Sequence, residues 1–129
     1  MNTFGQSQRP VTIIDFVKIK ASKTAEALFY YEQNWKAYRE VALKKGSIRS
    51  YQLLTTKADS LADFDLMLLT EYTDSTQFGL SEERFQRIIQ DMNPDGSKLL
   101  NALKPAEFRT NLFYRKAETL CGSQAGKTH

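Results

Sequence analysis

Asp15 is the residue of this chain best placed to move a proton. It interrupts an otherwise apolar, β-branched segment, VTIIDFVKIK, at residues 11–20. Aspartate is disfavoured inside β-strands, so it needs a partner or a purpose there. A carboxyl group isolated in apolar surroundings has a raised pKa and can act as a base, whereas one beside an arginine stays ionised. Asn111, in the last predicted strand, could assist proton removal, and these two residues are the candidate catalytic residues.

The candidate ligand-binding residues on the strands are two guanidinium groups and a phenol. Alternation places Arg49 and Tyr51 on one face of a strand, and Arg109 with Asn111 on one face of another. Opposed charges and a phenol lining a pocket could hold a small anionic or aromatic compound. The structural alternative is that Asp15 pairs with an arginine of a neighbouring strand or subunit, while the outer arginines face solvent.

Aromatic side chains recur on one face of a predicted helix. Tyr31, Trp35, Tyr38 and Ala42 stand at i, i+4, i+7 and i+11. The single tryptophan, Trp35, is therefore a further candidate ligand-binding residue. The favoured interpretation of the whole stripe is packing on the sheet, with the polar tips of its side chains at the rim.

Composition and residue counts exclude several classes of function. The 129 residues suit one domain, and the formal charge of +3 comes without a basic block, so no nucleic-acid partner is predicted. The only histidine is His129 and the only cysteine is Cys121, which leaves no metal-ligand spacing, no disulfide and no histidine-dependent cofactor. No cofactor or metal is expected. No apolar run reaches the length of a membrane span, and a cytoplasmic location is expected, with export as the alternative if a leader is missing.

The order of predicted elements is β-α-β-β-α-β. Strands are expected at 11–20, 47–56, 64–72 and 107–116, a helix from about 24 to 45, and a second helical region at 75–92 that Gly79 interrupts. A short helix is expected in SKLLNALK, before Pro105. This order predicts an α+β fold of the ferredoxin-like type, with a four-stranded antiparallel sheet at 11–116. Residues 1–10 and 117–129 are expected to be disordered.

Both faces of the predicted sheet are apolar, which predicts a homodimer. Ile13, Val17 and Ile19 point to one side of the first strand, and Ile14 and Phe16 point to the other. Two helices cover only one face, and an exposed apolar sheet would be larger than the patches that monomers carry. The simplest cover is a second copy, with the two sheets packed face to face.

This layout resembles the dimeric α+β barrel superfamily, and in particular its uncharacterised bacterial members. The resemblance rests on an F-V-K-I-K strand, a helix with E-x-x-W-K, and a glycine before an aromatic-bearing strand. The matching residues are Phe16, Val17, Lys18, Lys20, Glu32, Trp35, Lys36, Gly46, Ile48 and Tyr51. The superfamily includes antibiotic-biosynthesis monooxygenases, haem-degrading enzymes and isomerases, so membership assigns no single reaction.

Three functions remain open at this stage. The leading one is a homodimer that binds a small aromatic or anionic molecule, without an assigned reaction. The second is a cofactor-independent monooxygenase or isomerase acting on a phenolic or polyketide-like substrate, with Trp35 and Tyr51 positioning the ring and Asp15 or Asn111 assisting proton removal. The third is a purely structural dimer with a filled interior.

Overall fold

Four antiparallel strands form one sheet in the computed structural model, which describes residues 8–123 of the chain. The strands are β1 (Val11–Ile19), β2 (Ser50–Thr55), β3 (Leu66–Tyr72) and β4 (Arg109–Glu118), in the order β2-β3-β1-β4. The predicted α+β class with a four-stranded antiparallel sheet is thus confirmed, and the architecture is compatible with a ferredoxin-like fold. Of the two segments predicted to be disordered, residues 1–7 and 124–129 lie outside the described residues.

The helices follow the predicted order, with one displacement. They are α1 (Thr24–Tyr30), a π-helical segment (Tyr31–Trp35), α2 (Lys36–Lys44), α3 (Ser75–Gly79), α4 (Ser81–Met92) and α5 (Pro105–Phe108). The predicted interruption is present: α3 ends at Gly79, and Leu80 separates it from α4. The helix expected in residues 97–104 is wrong, because that segment has no helical turn and α5 begins only at Pro105. Proline favours the first helical position, and the Glu107 carboxylate accepts a hydrogen bond from the Lys104 amide at 2.9 Å, which starts the helix there instead.

Asp74 caps α3, since its carboxylate accepts a hydrogen bond from the backbone N–H of Gln77 at 2.9 Å. We expect Asp74→Ala to lower the free energy of unfolding by about 1 kcal/mol, the usual effect of losing an N-cap acceptor. Urea denaturation measures this, and Asp74→Ser, which keeps an acceptor, is the control. Equal stabilities of the alanine and serine variants would contradict the assignment of the cap.

Two buried clusters join the helices to one face of the sheet. The first centres on Val17, Trp35 and Leu66, and the second on Tyr38 and Ile88, which join α2 to α4. All the buried strand residues of β1 and β3 belong to this face by alternation, as expected for a half-covered sheet. The helix layer therefore fixes which strand residues can reach the space beneath it.

The opposite face of the sheet, called the open face below, has no buried residue. Its strand positions are Thr12, Ile14, Phe16, Lys18, Ser50, Gln52, Leu54, Met67, Leu69, Glu71, Thr110, Phe113, Arg115 and Ala117. The centre is apolar, and the rings of Phe16 and Phe113 lie 4.7 Å apart. Phe64 also joins this face, since its ring packs on Phe16 at 4.9 Å just before β3 begins at Leu66.

Candidate functional site

A cavity of about 540 Å³ lies between the sheet and the helix layer. Its floor comes from β1 and β4, its roof from α1, the π-helical segment and α2, and its far wall from Ile89 and Ser97. This volume lies within the range of sites for small organic molecules. The side chains discussed below line it: Asp15, Tyr30, Tyr31, Asn34, Trp35, Tyr38, Arg39, Arg109, Asn111, Leu112 and Tyr114.

The π-helical segment places three buried side chains over the cavity. Tyr31, Asn34 and Trp35 are buried although only five residues form the segment. Short π-helical insertions in α-helices are frequently found at functional sites. The predicted stripe of Tyr31, Trp35, Tyr38 and Ala42 is indeed buried, and its three aromatic members also line the cavity. Packing and ligand contact are therefore compatible roles for these rings.

Asp15 lies on the cavity floor, half-buried in the middle of β1, opposite Leu68 of β3 and Tyr114 of β4. Burial raises the pKa of its carboxyl group, and the nearby Arg39 opposes that rise. Within residues 8–123 no ion pair or hydrogen bond to this carboxylate is formed. Both alternatives considered for Asp15 therefore apply in part. Arg39 lowers the pKa of the carboxyl group without a direct contact, and desolvation raises that pKa by a larger amount.

Arg39 projects from α2 into the same cavity with its guanidinium group between two aromatic rings. Its Cζ lies 4.7 Å from the Trp35 ring centroid and 4.2 Å from that of Phe85. Its Nε donates a hydrogen bond to the Thr70 hydroxyl at 3.1 Å. Burial lowers the pKa of this guanidinium to about 10, so it remains protonated at neutral pH. Among the described residues, none forms a hydrogen bond or an ion pair with its two terminal amino groups.

Arg109 supplies the second cation of the cavity, from the start of β4. Its Nε donates a hydrogen bond to the Tyr31 hydroxyl at 3.0 Å, and its Cζ lies 5.7 Å from the Tyr30 ring centroid. Burial raises the pKa of the Tyr31 hydroxyl to about 12, against the opposing effect of Arg109. The phenol is therefore neutral at physiological pH, and it holds the arginine in place.

A β-bulge shapes the floor of the cavity. The pairing of β1 with β4 shifts register between Phe16 and Val17, and Leu112 is the extra residue on β4. Bulges redirect side chains and are common beside active sites. Here the shift keeps both Asn111 and Tyr114 among the lining residues on the two sides of the bulge.

The segment of residues 93–104, here the side loop, is fastened to the cavity roof by two asparagines. The amide of Asn34 donates to the Lys98 carbonyl and accepts from the Lys98 N–H, at 2.8 and 2.7 Å. The amide of Asn93 donates to the Tyr38 hydroxyl at 2.8 Å. Ser97 of this loop lines the cavity. The side loop is thus positioned by the helix that carries the aromatic side chains.

We expect Asn34→Ala to release the side loop and to lower the free energy of unfolding by about 1–3 kcal/mol, because both hydrogen bonds between the buried Asn34 amide and the backbone of Lys98 are lost. Hydrogen exchange of the Lys98 amide should accelerate much more than that of amides in β3. Asn101→Ala is the matched control, since the Asn101 amide bonds to the exposed carboxylate of Glu26. Unchanged exchange at Lys98 would show that Asn34 does not hold the loop.

Four of the predicted site residues meet in the cavity, and two do not. Asp15, Trp35, Arg109 and Asn111 all line it. Arg49 lies before β2, where it is 3.8 Å from the Glu71 carboxylate at the open face. This is the solvent-facing alternative considered for the outer arginines.

Tyr51 lies behind the cavity rather than in it. Its ring packs edge-on against Trp35 at 5.7 Å, and its hydroxyl donates to Glu40, a bond that raises the pKa of Tyr51 to about 12. It therefore contacts the far side of the Trp35 indole. A direct ligand contact by Tyr51 or by Arg49 stays a prediction without support from the cavity geometry.

Sequence reasoning missed Arg39 as a member of the site. The signal was present, since Arg39 follows Trp35 by four residues and so lies beside it on a helix. It missed Asn34 as well, because a regular helix places Asn34 beside the stripe and not beneath it. The π-helical segment that buries Asn34 has no recognisable signature in the sequence.

The chain gave no match to protein-family models, to curated proteins or to solved structures. Its resemblance to the dimeric α+β barrel superfamily therefore stays a prediction. In the part of the chain that the structure describes, no group of three or more metal-ligating side chains is found. No helix of those residues is long and apolar enough to cross a membrane. The interpretation of the site depends on its geometry alone.

Proposed function

We propose that this protein binds a small, planar aromatic molecule in the cavity beneath the π-helical segment. The observation that carries the proposal is the composition of that cavity: three buried aromatic side chains from one helix, beside two arginines and an aspartate. Ligand sites are mostly apolar with a few convergent polar groups, and this cavity has that character. The rings supply area for stacking, and the charged groups supply orientation.

The binding unit is proposed to be a homodimer, formed through the open face. Phe16, Met67 and Leu54 are aligned across three neighbouring strands, and none of the three is buried in one copy. A second copy covers such a face with an equal and self-complementary surface. The superfamily resemblance leads to the same assembly. Most residues that line the cavity lie on the helix side of the sheet, with Phe16 and Phe113 of the open face also among them, so each protomer would carry its own cavity.

A cofactor-independent monooxygenase or isomerase acting on a phenolic or polyketide-like substrate is the second candidate. Asp15 favours it, because a carboxyl group with a raised pKa and no hydrogen-bond donor is suited to proton abstraction. A purely structural dimer is the remaining alternative, and it would leave the cavity unused. These three functions give different results in one binding experiment and one activity measurement.

Trp35 makes the binding test direct, because it is the only tryptophan and it lines the cavity. We expect 2-naphthol and naphthalene-2-sulfonate to change its fluorescence saturably, with dissociation constants from micromolar to low millimolar. Asn111→Tyr, which places a ring in the cavity, should abolish the change. Glu83→Tyr on the exposed side of α4 is the control and should leave binding intact.

The absence of any saturable response from wild-type protein to planar aromatic compounds would contradict the proposal and favour the structural dimer. Oxygen consumption or isomerisation that Asp15→Asn abolishes, with ligand binding retained, would assign the enzyme. Native mass spectrometry of the purified protein provides an independent readout, since a co-purified aromatic compound identifies the class directly.

A further inference from the structure

We infer that the cavity selects a planar aromatic monoanion whose acidic group is held by Arg39, and that binding of this anion is accompanied by the uptake of one proton on Asp15. This inference rests on the proposed ligand-binding function and names its substrate class. It depends on how the three charged groups of the cavity are arranged, and on which of their hydrogen-bonding positions are already used.

Arg39 has the properties of an assembled anion receptor. The rings of Trp35 and Phe85 hold the guanidinium plane, and the Thr70 hydroxyl occupies its Nε. That arrangement leaves both terminal amino groups without a protein partner among residues 8–123. A guanidinium offers a planar fork that matches the two oxygens of an acidic group. Since its orientation is already fixed, an arriving anion loses little free energy in ordering it.

The charges of the cavity favour a ligand with one acidic group. Asp15 is the only carboxylate among the lining residues, against the guanidinium groups of Arg39 and Arg109. Arg109 already donates its Nε to the Tyr31 hydroxyl and lies against Tyr30. The empty cavity therefore carries one excess positive charge, which attracts an anion. Because Arg109 is already engaged by the Tyr31 hydroxyl, a ligand with one acidic group uses the one guanidinium that is held between two aromatic rings.

Asp15 is the group that responds to such an anion, because Arg39 is its compensating charge in the empty cavity. The titratable and charged groups that surround it are Arg39 from α2, Tyr31 from the π-helical segment, Tyr72 from β3, and Tyr114 and Arg109 from β4. Arg39 is the group here whose charge favours ionised Asp15. When the anion occupies Arg39, the carboxylate loses that support and gains a negative neighbour. A proton from solvent then binds to Asp15.

The sign of the pH dependence follows from this exchange. Burial has already raised the pKa of Asp15 in the empty protein, and the bound anion raises it further. Between those two values, binding takes up a proton, so affinity falls as pH rises, by up to tenfold per pH unit. Above that window Asp15 stays charged in the complex and affinity is weakest. Below it Asp15 is already protonated and affinity becomes independent of pH.

Naphthalene-2-sulfonate is the appropriate probe, since its charge does not change across this range, and its neutral sulfonamide is the matched control. We expect the wild-type protein to bind the sulfonate at least tenfold more tightly than the sulfonamide near the acidic end of the window. Isothermal titration calorimetry in two buffers of different ionisation enthalpy should give an uptake approaching one proton. In Asp15→Asn, the sulfonate affinity should become independent of pH and the proton uptake should vanish.

The outcomes separate this inference from the proposed function. Equal affinities for sulfonate and sulfonamide, or sulfonate binding without proton uptake in wild-type protein, would overturn the inference and leave aromatic binding intact. Proton uptake that persists in Asp15→Asn would assign the proton to another group and would equally overturn it. Failure of both probes to affect Trp35 fluorescence would overturn the proposed function and this inference together.

Discussion

Arg39→Met is expected to weaken binding of naphthalene-2-sulfonate by roughly 10- to 100-fold. Losing a hydrogen bond to a charged group costs about 1.5–3 kcal/mol, or roughly 10- to 100-fold in affinity, and the terminal amino groups of Arg39 are the donors without a partner in the described cavity. The methionine side chain keeps an unbranched apolar stem between Trp35 and Phe85, so the walls of the cavity should hold their positions. Binding of the neutral sulfonamide should change by less than about threefold, within the usual effect of an apolar replacement of similar size.

The same substitution should leave folding stability unchanged or raise it. Arg39 is a desolvated cation whose only direct polar partner in the described structure is the Thr70 hydroxyl. Replacing Arg39 by an apolar side chain removes the desolvation cost of the cation, and Asp15, which loses its compensating charge, can take up a proton instead of staying charged. Urea denaturation measures this, with Arg87→Met as the matched control, because Arg87 pairs with Glu83 on the exposed surface of α4. A large loss of stability together with retained sulfonate affinity would show that Arg39 is a structural residue.

Met67→Glu is expected to convert the proposed dimer into a monomer, with the dimer dissociation constant raised by about 1,000-fold or more. Met67 stands at the centre of the open face, between Phe16 of β1 and Leu54 of β2. Two-fold symmetry would bury two glutamates for each dimer, and burying an unpaired charge costs several kcal/mol per ion. The monomer itself should stay folded, because Met67 is only partly buried within one copy.

Sedimentation or light scattering across a range of protein concentrations measures this change. Leu43→Glu is the control for introducing a glutamate, since Leu43 is 39% exposed on the helix side of the sheet. It should leave the assembly unchanged. A wild-type protein that is monomeric at high micromolar concentration, or a dimer that persists in Met67→Glu, would place the interface elsewhere or remove it.

The sequence was most informative about β1, where the alternation of apolar side chains decided both faces of the sheet. Val17 is buried beneath the helices and Phe16 lies on the open face, as that alternation predicts. By the same alternation Asp15 shares the face of Val17, and the structure identifies that face as the helix side and the floor of the cavity. Side chains of a short strand alternate strictly between the two faces of the sheet, so placing one of them correctly assigns all the others to a face.

Other features could not be read from the sequence, for reasons specific to each. The residues of SKLLNALK have good helical propensity, yet the Asn34 amide takes the backbone groups of Lys98 and holds that segment as a loop. Tyr51 and Arg49 stand one strand too far from the cavity, because strand order within the sheet is a tertiary property. The role of Arg39 could not be read either, because the rings of Trp35 and Phe85 come from different helices and meet around its guanidinium only in the folded chain.

The π-helical segment changes the direction in which side chains project between α1 and α2. Successive residues of an α-helix are 100° apart around its axis, and a wider turn changes the angle at which the following stretch leaves. Here the part before Tyr31 contacts α5, and the part after Trp35 contacts α4 and β2. A single uninterrupted α-helix could pack its apolar face against α5 or against α4 and β2, but not against both sides. The direction in which the Trp35 and Arg39 side chains project therefore depends on the position of the π-helical segment in the sequence. Moving that segment by one residue would turn both side chains together.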